Sequence, residues 1–512
     1  MEYGGSNPLG DCGCRTLFSP AVPLPEEETI LFDVLIIGCG IVGAAAAYEL
    51  SRYRLRIAVL EEKNDVAAGT TKANSAILHA GYDPLPGTLM ARLNVEGARL
   101  AEELCAALDV PYRKTGSLVL AFSREEESLL EELLRRGQAN GVPGLEILSQ
   151  EKLRLREPNA NPEARAALYA PSAAIVSPWE YALALAETAV RNGAELFRSS
   201  RVTGLTPLPE GGWRVQTSSG SYESRYVLNA AGVSSDFVHN LAAPADFRIR
   251  PSRGEYYLLD KSQGNLVSHV IFQCPSAKGK GVLVAPTVHG NLLAGPNAQD
   301  IPDGEDTAVT AAGLEEVAAL ACKSVPSLNL RESIRSFAGV RAQAEQFGAN
   351  AGKDDFILRE AAPGFFDLAG IKSPGLTAAP AIARYAAGLL REAGLSMVEK
   401  PDFISTRRRI RFKELSQPER NALIREDPSY GRVICRCETV TEGEILAALR
   451  TPIPPCSIDG VKRRCGAGLG RCQGGFCGPR VLDLIARTLH IPPEEVLQEQ
   501  DGSVVLLGRS RP

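Results

Sequence analysis

At 512 residues the chain has room for roughly three folding units, so one large domain with appendages is expected. A hydrophobic share of 44% and a charged share of 23% describe a packed globular protein and exclude a disordered or fibrous one. The formal charge of -5 offers no basic field to nucleic acid, and no apolar run nears the roughly 20 residues of a membrane span, so membrane contact is expected only peripherally or through a partner.

Residues 1–30, "MEYGGSNPLGDCGCRTLFSPAVPLPEEETI", read as a Gly/Pro-rich flexible tail without the basic start and apolar run of a secretory signal. Cys12 and Cys14 have no second pair nearby and are not taken as ligands. The remaining cysteines are expected to be reduced thiols of a cytoplasmic protein.

Next comes "FDVLIIGCGIVGAAAAYELSRYRLRIAVLEE", whose pattern is strand, tight turn, Ala-rich helix, strand. Gly38, Gly40 and Gly43 form G-x-G-x-x-G: the first permits the turn, the second lets backbone approach a pyrophosphate, and the third lets helix pack on strand. Glu61, 23 residues after Gly38, ends the second strand where a carboxylate can accept from ribose hydroxyls. This motif does not by itself separate FAD from NAD.

Farther on, "NVEGARLAEELCAALD" and "EEESLLEELLRRGQ" have helical periodicity, while "SLVLAF", "GWRVQTS" and "RYVLNAAG" predict strands. Residues near 250–300 predict a second, strand-rich sheet with turns at "SRGE", "VHGN" and "PNAQD". In "PSRGEYYLL", Tyr256 and Tyr257 alternate, so one faces a pocket and the other the core. From Arg407 to Lys413 five of seven residues are basic, which predicts either a solvated linker or a docking segment for an acidic partner.

Near the C-terminus, "VICRCETV" and "GRCQGGFCG" place Cys435, Cys437, Cys472 and Cys477 as C-x-C, 34 residues, C-x4-C. Four thiolates at two ends of a small module suit an iron-sulfur cluster; zinc is the competing reading, although it prefers wider knuckles. Cys456 and Cys465 lie inside the module and fall outside that pattern. Lys462, Arg463, Arg464 and Arg471 either surround the cluster, raising its potential, or are simply solvated.

"AAGTTKANSAILHAGY", "YVLNAAG" and "FFDLAGIKSPGLTAAPAIARYAAG" resemble, in order and spacing, segments of the D-amino-acid oxidase and glycerol-3-phosphate dehydrogenase superfamily of FAD enzymes. The resemblance implies FAD as cofactor, with Thr70, Thr71, Asn74 and Ser75 lining pyrophosphate and flavin, and Ala231 and Gly232 backing the adenine half. It also implies a helix N-terminus at Gly375, Leu376 and Thr377, after Gly370, set against the flavin pyrimidine. A helix dipole there stabilises reduced flavin, and Lys372 adds a full charge or is an exposed loop lysine. His79 matches the family's histidine beside the flavin, a base for the substrate hydroxyl or else a buried structural residue. His289, in "TVHGN", reads as structural.

Arg253 and Arg341 are the candidate anion clamps, since a guanidinium grips a carboxylate or phosphate with two parallel bonds. "RGEYY" resembles the L-2-hydroxyglutarate dehydrogenase branch, and the arginine of "GVR" resembles a substrate-contacting arginine of the superfamily. "ICRCETVTEGEI" and "DGVKRRCGAGLGRCQGGFC" resemble the bacterioferritin-associated-ferredoxin-like 2Fe-2S domain of anaerobic glycerol-3-phosphate dehydrogenases.

The expected fold is therefore α/β: a Rossmann-like FAD-binding domain with an inserted antiparallel-sheet substrate domain, plus a small helical C-terminal 2Fe-2S domain. The expected divisions are tail 1–30, oxidoreductase domain 31–398 with its substrate sheet near 80–170 and 245–345, linker 399–432, cluster domain 433–490, and tail 491–512. The expected activity is oxidation of a small anionic alcohol, glycerol 3-phosphate or a 2-hydroxy acid. Electrons would pass from FAD through the cluster to a partner flavoprotein or quinone-linked subunit. A non-catalytic electron relay is the alternative of a different class.

Overall fold

The computed structural model describes residues 31–275 and 281–508; the N-terminal tail with Cys12 and Cys14 lies outside them. The strand Leu31–Ile37 lies at the centre of the first sheet, parallel to Ile57–Leu60 on one side and to Ser221–Asn229 on the other. Glu195–Phe197 extends the sheet beyond Ile57–Leu60, and Phe365–Ala369 runs parallel to the end of Ser221–Asn229. Central strands covered on both faces must be apolar throughout, which is why "VLII" and "IAVL" show no polar alternation.

The helix Ile41–Leu50 packs against the helices Pro178–Arg191 and Gly375–Glu392. Ala44 to Ala47 are each at most 1% exposed, so the alanine run answers crowding from several sides rather than helix propensity alone.

Among the described residues the second sheet has nine strands, built around the long antiparallel pair Phe247–Leu259 and Ser333–Gln346. It is antiparallel except where Ser117–Ala121 runs parallel to Val270–Gln273. The helices expected from periodicity are present as Leu89–Ala107 and Arg124–Ala139, each with a hydroxyl N-cap, Thr88 and Ser123. "VHGN" turns between the strands Leu283–Pro286 and Leu292–Gly295. "SRGE" does not turn; it lies inside the strand Phe247–Leu259.

Within the basic run expected to be solvated or a docking arm, charges are paired inside the chain: Arg407 with Glu187, Arg409 with Glu180 and Arg411 with Asp109. Arg408 is exposed and meets only backbone carbonyls. A helix follows at Gln417–Glu426, closed by a Ser416–Glu419 capping box. The cluster module carries helices Glu442–Ala448, Ile458–Cys465 and Gly478–Leu489 around an apolar centre of Ile445, Val461, Val481 and Ile485. Residues 491–508 are not a free tail: Leu497 bridges to Ser457 and to Val504.

Candidate functional site

One cavity of about 360 Å³ opens along the C-terminal ends of the first sheet and runs to the face of the second. Its volume lies within the range of cofactor sites, and a parallel sheet binds ligands at that end. Gly38, Gly40, Glu61, Thr70, Thr71, Asn74, Ser75, His79, Ala231, Gly232, Arg341, Gly370, Lys372, Gly375 and Leu376 all line it.

At one end the glycine turn behaves as sterics require. Gly38 has φ +96°, and a Cβ there would sit 2.6 Å from the Ala230 carbonyl oxygen. A Cβ on Gly43 would lie 1.9 Å from the Gly38 carbonyl oxygen, which sets how closely helix follows strand. The helix Ile41–Leu50 has no side-chain cap of its own, although the Thr71 hydroxyl accepts from the Ile41 N–H at 2.9 Å. Such an N-terminus, opening into a cavity, suits a pyrophosphate. Glu61 accepts from the backbone N–H groups of Cys39 (2.8 Å) and Lys63 (2.9 Å), and burial pushes its carboxyl up to about 7.

The loop after it is tied down by its own side chains. Thr70 donates to the Val340 carbonyl at 2.7 Å, and Asn74 donates to the carbonyls of Thr70 and Thr71 while accepting from the Ala76 N–H. The Ser75 hydroxyl meets the Tyr256 phenol at 3.1 Å. Sequence reasoning left open which tyrosine faces the pocket; Tyr256 does, stacked on Phe337, while Tyr257 packs into the core.

At the other end the helix Gly375–Glu392 begins without a side-chain cap, its first residues on the cavity wall. The His79 N–H donates to the Thr377 hydroxyl (2.9 Å), its carbonyl accepts from Asn94 (2.7 Å), and its Nε2 lies 3.1 Å from the Ser373 hydroxyl. Thr377 is therefore buried behind His79 rather than on the cavity wall. Neither Asn94 nor Ser373 was picked from the sequence: Asn94 lies in no chemical motif, and Ser373, inside "FFDLAGIKSPGLT", is adjacent to residues that were. Lys372 lines the cavity with its Nζ 2.6 Å from Asp354.

The two arginines separate. Arg341 faces the cavity, donating to the Asn297 carbonyl at 3.0 Å, with the Ser252 hydroxyl 3.5 Å away. Among the described residues no carboxylate stands within ion-pair distance of it. Gly254 makes its space, because a Cβ there would lie 2.6 Å from the Arg341 Nη2. Arg253 does not reach the cavity: it is buried between Asp306 (2.7 Å), Gln299 (2.8 Å) and Glu255 (3.5 Å). Its charge is already neutralised, which removes it as an anion clamp.

In the C-terminal module the four cysteines stand in two pairs. The sulfurs of Cys437 and Cys472 are 3.7 Å apart, and Cys435 and Cys477 are near enough to interact. Two thiolates on one tetrahedral metal, with bonds of about 2.3 Å, stand about 3.8 Å apart. Among the described residues no three Cys, His, Asp or Glu side chains converge on one point as a single zinc ion would need. Pairs suit a two-iron cluster, each iron taking two thiolates. Contact between Cys435 and Cys477 lowers the first thiol and raises the second, as two sulfurs sharing one proton do, and the Phe476 backbone N–H lowers Cys472 while Cys437 is raised. Cys465 turns away to the Val461 carbonyl and Cys456 to that of Asn64. Three of the nearby cations are paired and largely buried, Lys462 with Asp459 and Arg463 and Arg464 with Asp65, whereas Arg471, beside Cys472, is exposed and reaches Glu332.

Residues 33–389 match the family model of FAD dependent oxidoreductases, and residues 433–487 match that of the BFD-like 2Fe-2S binding domain. A glycerol 3-phosphate dehydrogenase of Caloramator mitchellensis is 47% identical, covering 94% of this chain and 99% of its own. The solved L-alpha-glycerophosphate oxidase of Mycoplasma pneumoniae, with FAD bound, is 35% identical with a TM-score of 0.69, over 74% of this chain and 98% of its own. An L-2-hydroxyglutarate dehydrogenase of Caenorhabditis elegans is 29% identical over 71% of this chain and 93% of its own. With its glycine turn, flavin-sized cavity and paired thiols, the chain belongs to the FAD dependent oxidoreductases and carries a BFD-like 2Fe-2S domain behind the flavin domain.

Proposed function

We propose that the protein oxidises the CH–OH group of a small anionic alcohol, sn-glycerol 3-phosphate first among candidates, and delivers the electrons through its flavin and cluster to an external acceptor. The observation that carries this reading is the near end-to-end similarity, cluster domain included, to the Caloramator glycerol 3-phosphate dehydrogenase. Residues 31–398 serve as the oxidoreductase domain and 433–490 as the cluster domain.

Bound FAD supplies a two-electron acceptor and the cluster a one-electron carrier, a pairing that converts one kind of chemistry into the other. Arg341 grips the anionic group with its planar fork, already oriented by Asn297 and uncompensated by carboxylate. His79 takes the hydroxyl proton at Nε2, where a substrate hydroxyl competes with that of Ser373; Thr377 and Asn94 hold its backbone fixed. With FAD bound, the uncapped N-terminus at Gly375 would favour negative charge on the isoalloxazine, and Lys372 would add to it only as far as its pair with the exposed Asp354 allows.

Cys437 is exposed whereas Cys435 and Cys477 are buried, so a cluster held by the four thiols would be reached by a partner from the Cys437 side. The acceptor is a partner flavoprotein or a quinone-linked subunit. The free cysteines suit a cytoplasmic setting, and among the described residues no helix is long and apolar enough to cross a membrane.

Anaerobic addition of glycerol 3-phosphate is expected to bleach the flavin absorbance. Bleaching by L-2-hydroxyglutarate instead would move the substrate to the 2-hydroxy acids, and bleaching by neither would make the protein a relay.

A further inference from the structure

Several contacts between the C-terminal module and the flavin domain meet on one short stretch, residues 64–72, part of which also walls the cavity. Asp65, fully buried, accepts from Arg464 at 2.8 Å through both of its oxygens and from Arg463 at 3.2 Å. Arg463 also reaches Glu499 at 2.8 Å, and Glu499 takes the Lys72 ammonium at 2.6 Å. Lys72 directly follows Thr70 and Thr71, and Asn64 donates to the Glu499 carbonyl (3.0 Å) and to Asp501 (3.2 Å). Residues 498–503 form a turn closed by Gln498 N–H to Ser503 carbonyl (2.7 Å) and Glu499 N–H to Ser503 hydroxyl (2.9 Å). At the tip of that turn Gln500 lines the cavity rim, contributed by the opposite end of the chain from the glycine motif.

We propose that Gln500 is a cofactor-binding residue, its amide meeting the sugar–phosphate half of FAD, and that the ion-pair knot of Asp65, Arg463, Arg464, Glu499 and Lys72 seats it there. An amide both donates and accepts, which suits ribose hydroxyls and phosphate oxygens alike. A buried carboxylate shared by two guanidiniums holds one geometry, because any displacement leaves charge unpaired away from water. The consequence is linkage: if the seated turn strengthens FAD binding, bound FAD strengthens the seating of the turn by the same factor. The flavin site is thus completed by the module that receives its electrons. This rests on FAD occupying the cavity described above.

The test is FAD titration of deflavinated protein with its cluster retained, followed by flavin fluorescence quenching. Gln500→Ala and Glu499→Gln should each weaken FAD binding, by about tenfold for Glu499→Gln, with iron content unchanged. Hydrogen exchange of residues 497–503 in the wild-type protein should slow when FAD is added. A merely structural turn would keep its exchange rate whether or not FAD is bound, and that result overturns the proposal, as does binding by both variants within about twofold of wild type. Wild-type protein that binds no FAD would overturn the cavity assignment as well, a failure distinguishable from a variant-specific one.

Discussion

Replacing Arg341 by lysine keeps a positive charge in the cavity and removes the planar fork, so it isolates what geometry contributes to substrate binding. In the structure the guanidinium has one firm bond, 3.0 Å to the Asn297 carbonyl, and one long contact, 3.5 Å to the Ser252 hydroxyl, and it lines the cavity together with Tyr256. Lysine has three donors on one nitrogen, but their tetrahedral spread cannot present two parallel bonds to an anion while keeping the bond to Asn297. Losing one member of a desolvated, charge-assisted contact costs about 2 to 4 kcal/mol, which is a fall of about 30- to 900-fold in kcat/KM. The assay is anaerobic stopped-flow reduction of the flavin, by substrate and separately by dithionite. The Arg341→Lys protein should retain flavin, iron and dithionite reduction while substrate-driven reduction falls within that range. Equal behaviour of variant and wild type toward both reductants refutes the clamp, and with it the placement of substrate between Arg341 and His79.

Gly40→Val should abolish flavin retention, since even a Cβ at Gly40 meets the Thr71 hydroxyl at 3.2 Å; a full flavin spectrum in the purified variant would contradict this. Acid precipitation should release the flavin to the supernatant, and flavin left in the pellet would point to attachment through His79. Replacing Cys435, Cys437, Cys472 or Cys477 by serine should lose iron, whereas Cys456→Ser and Cys465→Ser keep it; anaerobically purified protein with zinc and no iron would falsify the cluster assignment. The Arg464 and Arg463 guanidiniums outweigh the cost of burial and hold the Asp65 carboxyl well below its ordinary range. Its contribution to docking is therefore complete above the unfolded value of about 3.9 and lost only as pH falls through the much lower folded value. The thermal transition of the C-terminal module should accordingly show no acid-induced step from this pair between about pH 5 and 8, and a step there that Asp65→Asn removes would contradict the sign.

The glycine turn and the four cysteines were legible because their requirements are local. Gly38 needs a positive φ and Gly43 a missing Cβ wherever the rest of the chain goes, and ligand spacing is written along the sequence. The arginines were not separable, because their difference is a matter of cross-strand register. Ser252 stands opposite Arg341, Gly254 opposite Gly339 and Tyr256 opposite Phe337, so these share the cavity face; Arg253 and Glu255 alternate onto the other. One strand read alone shows the alternation but not which face is the cavity. Gly254 was misread for the same reason: "SRGE" has turn composition, yet its glycine makes room for a guanidinium on the neighbouring strand.

Charge runs misled in a related way. Arg407, Arg409 and Arg411 find carboxylates more than 200 residues earlier in the chain, and Arg464 finds Asp65 across 399 residues, so composition alone cannot distinguish a paired run from a solvated one. Such pairs contribute modest net stability once desolvation is counted, and their value lies in tolerating one arrangement only. That is a useful property for a domain carrying a redox centre, since electron transfer slows steeply as two centres move apart. Lys261 extends the same logic to the second sheet, where its ammonium meets the buried Glu438, next to Cys437, at 2.7 Å. The module is thereby pinned to the flavin loop through Asp65 and to the substrate sheet through Glu438, so that shifting it against the flavin domain would unpair a buried carboxylate at either anchor.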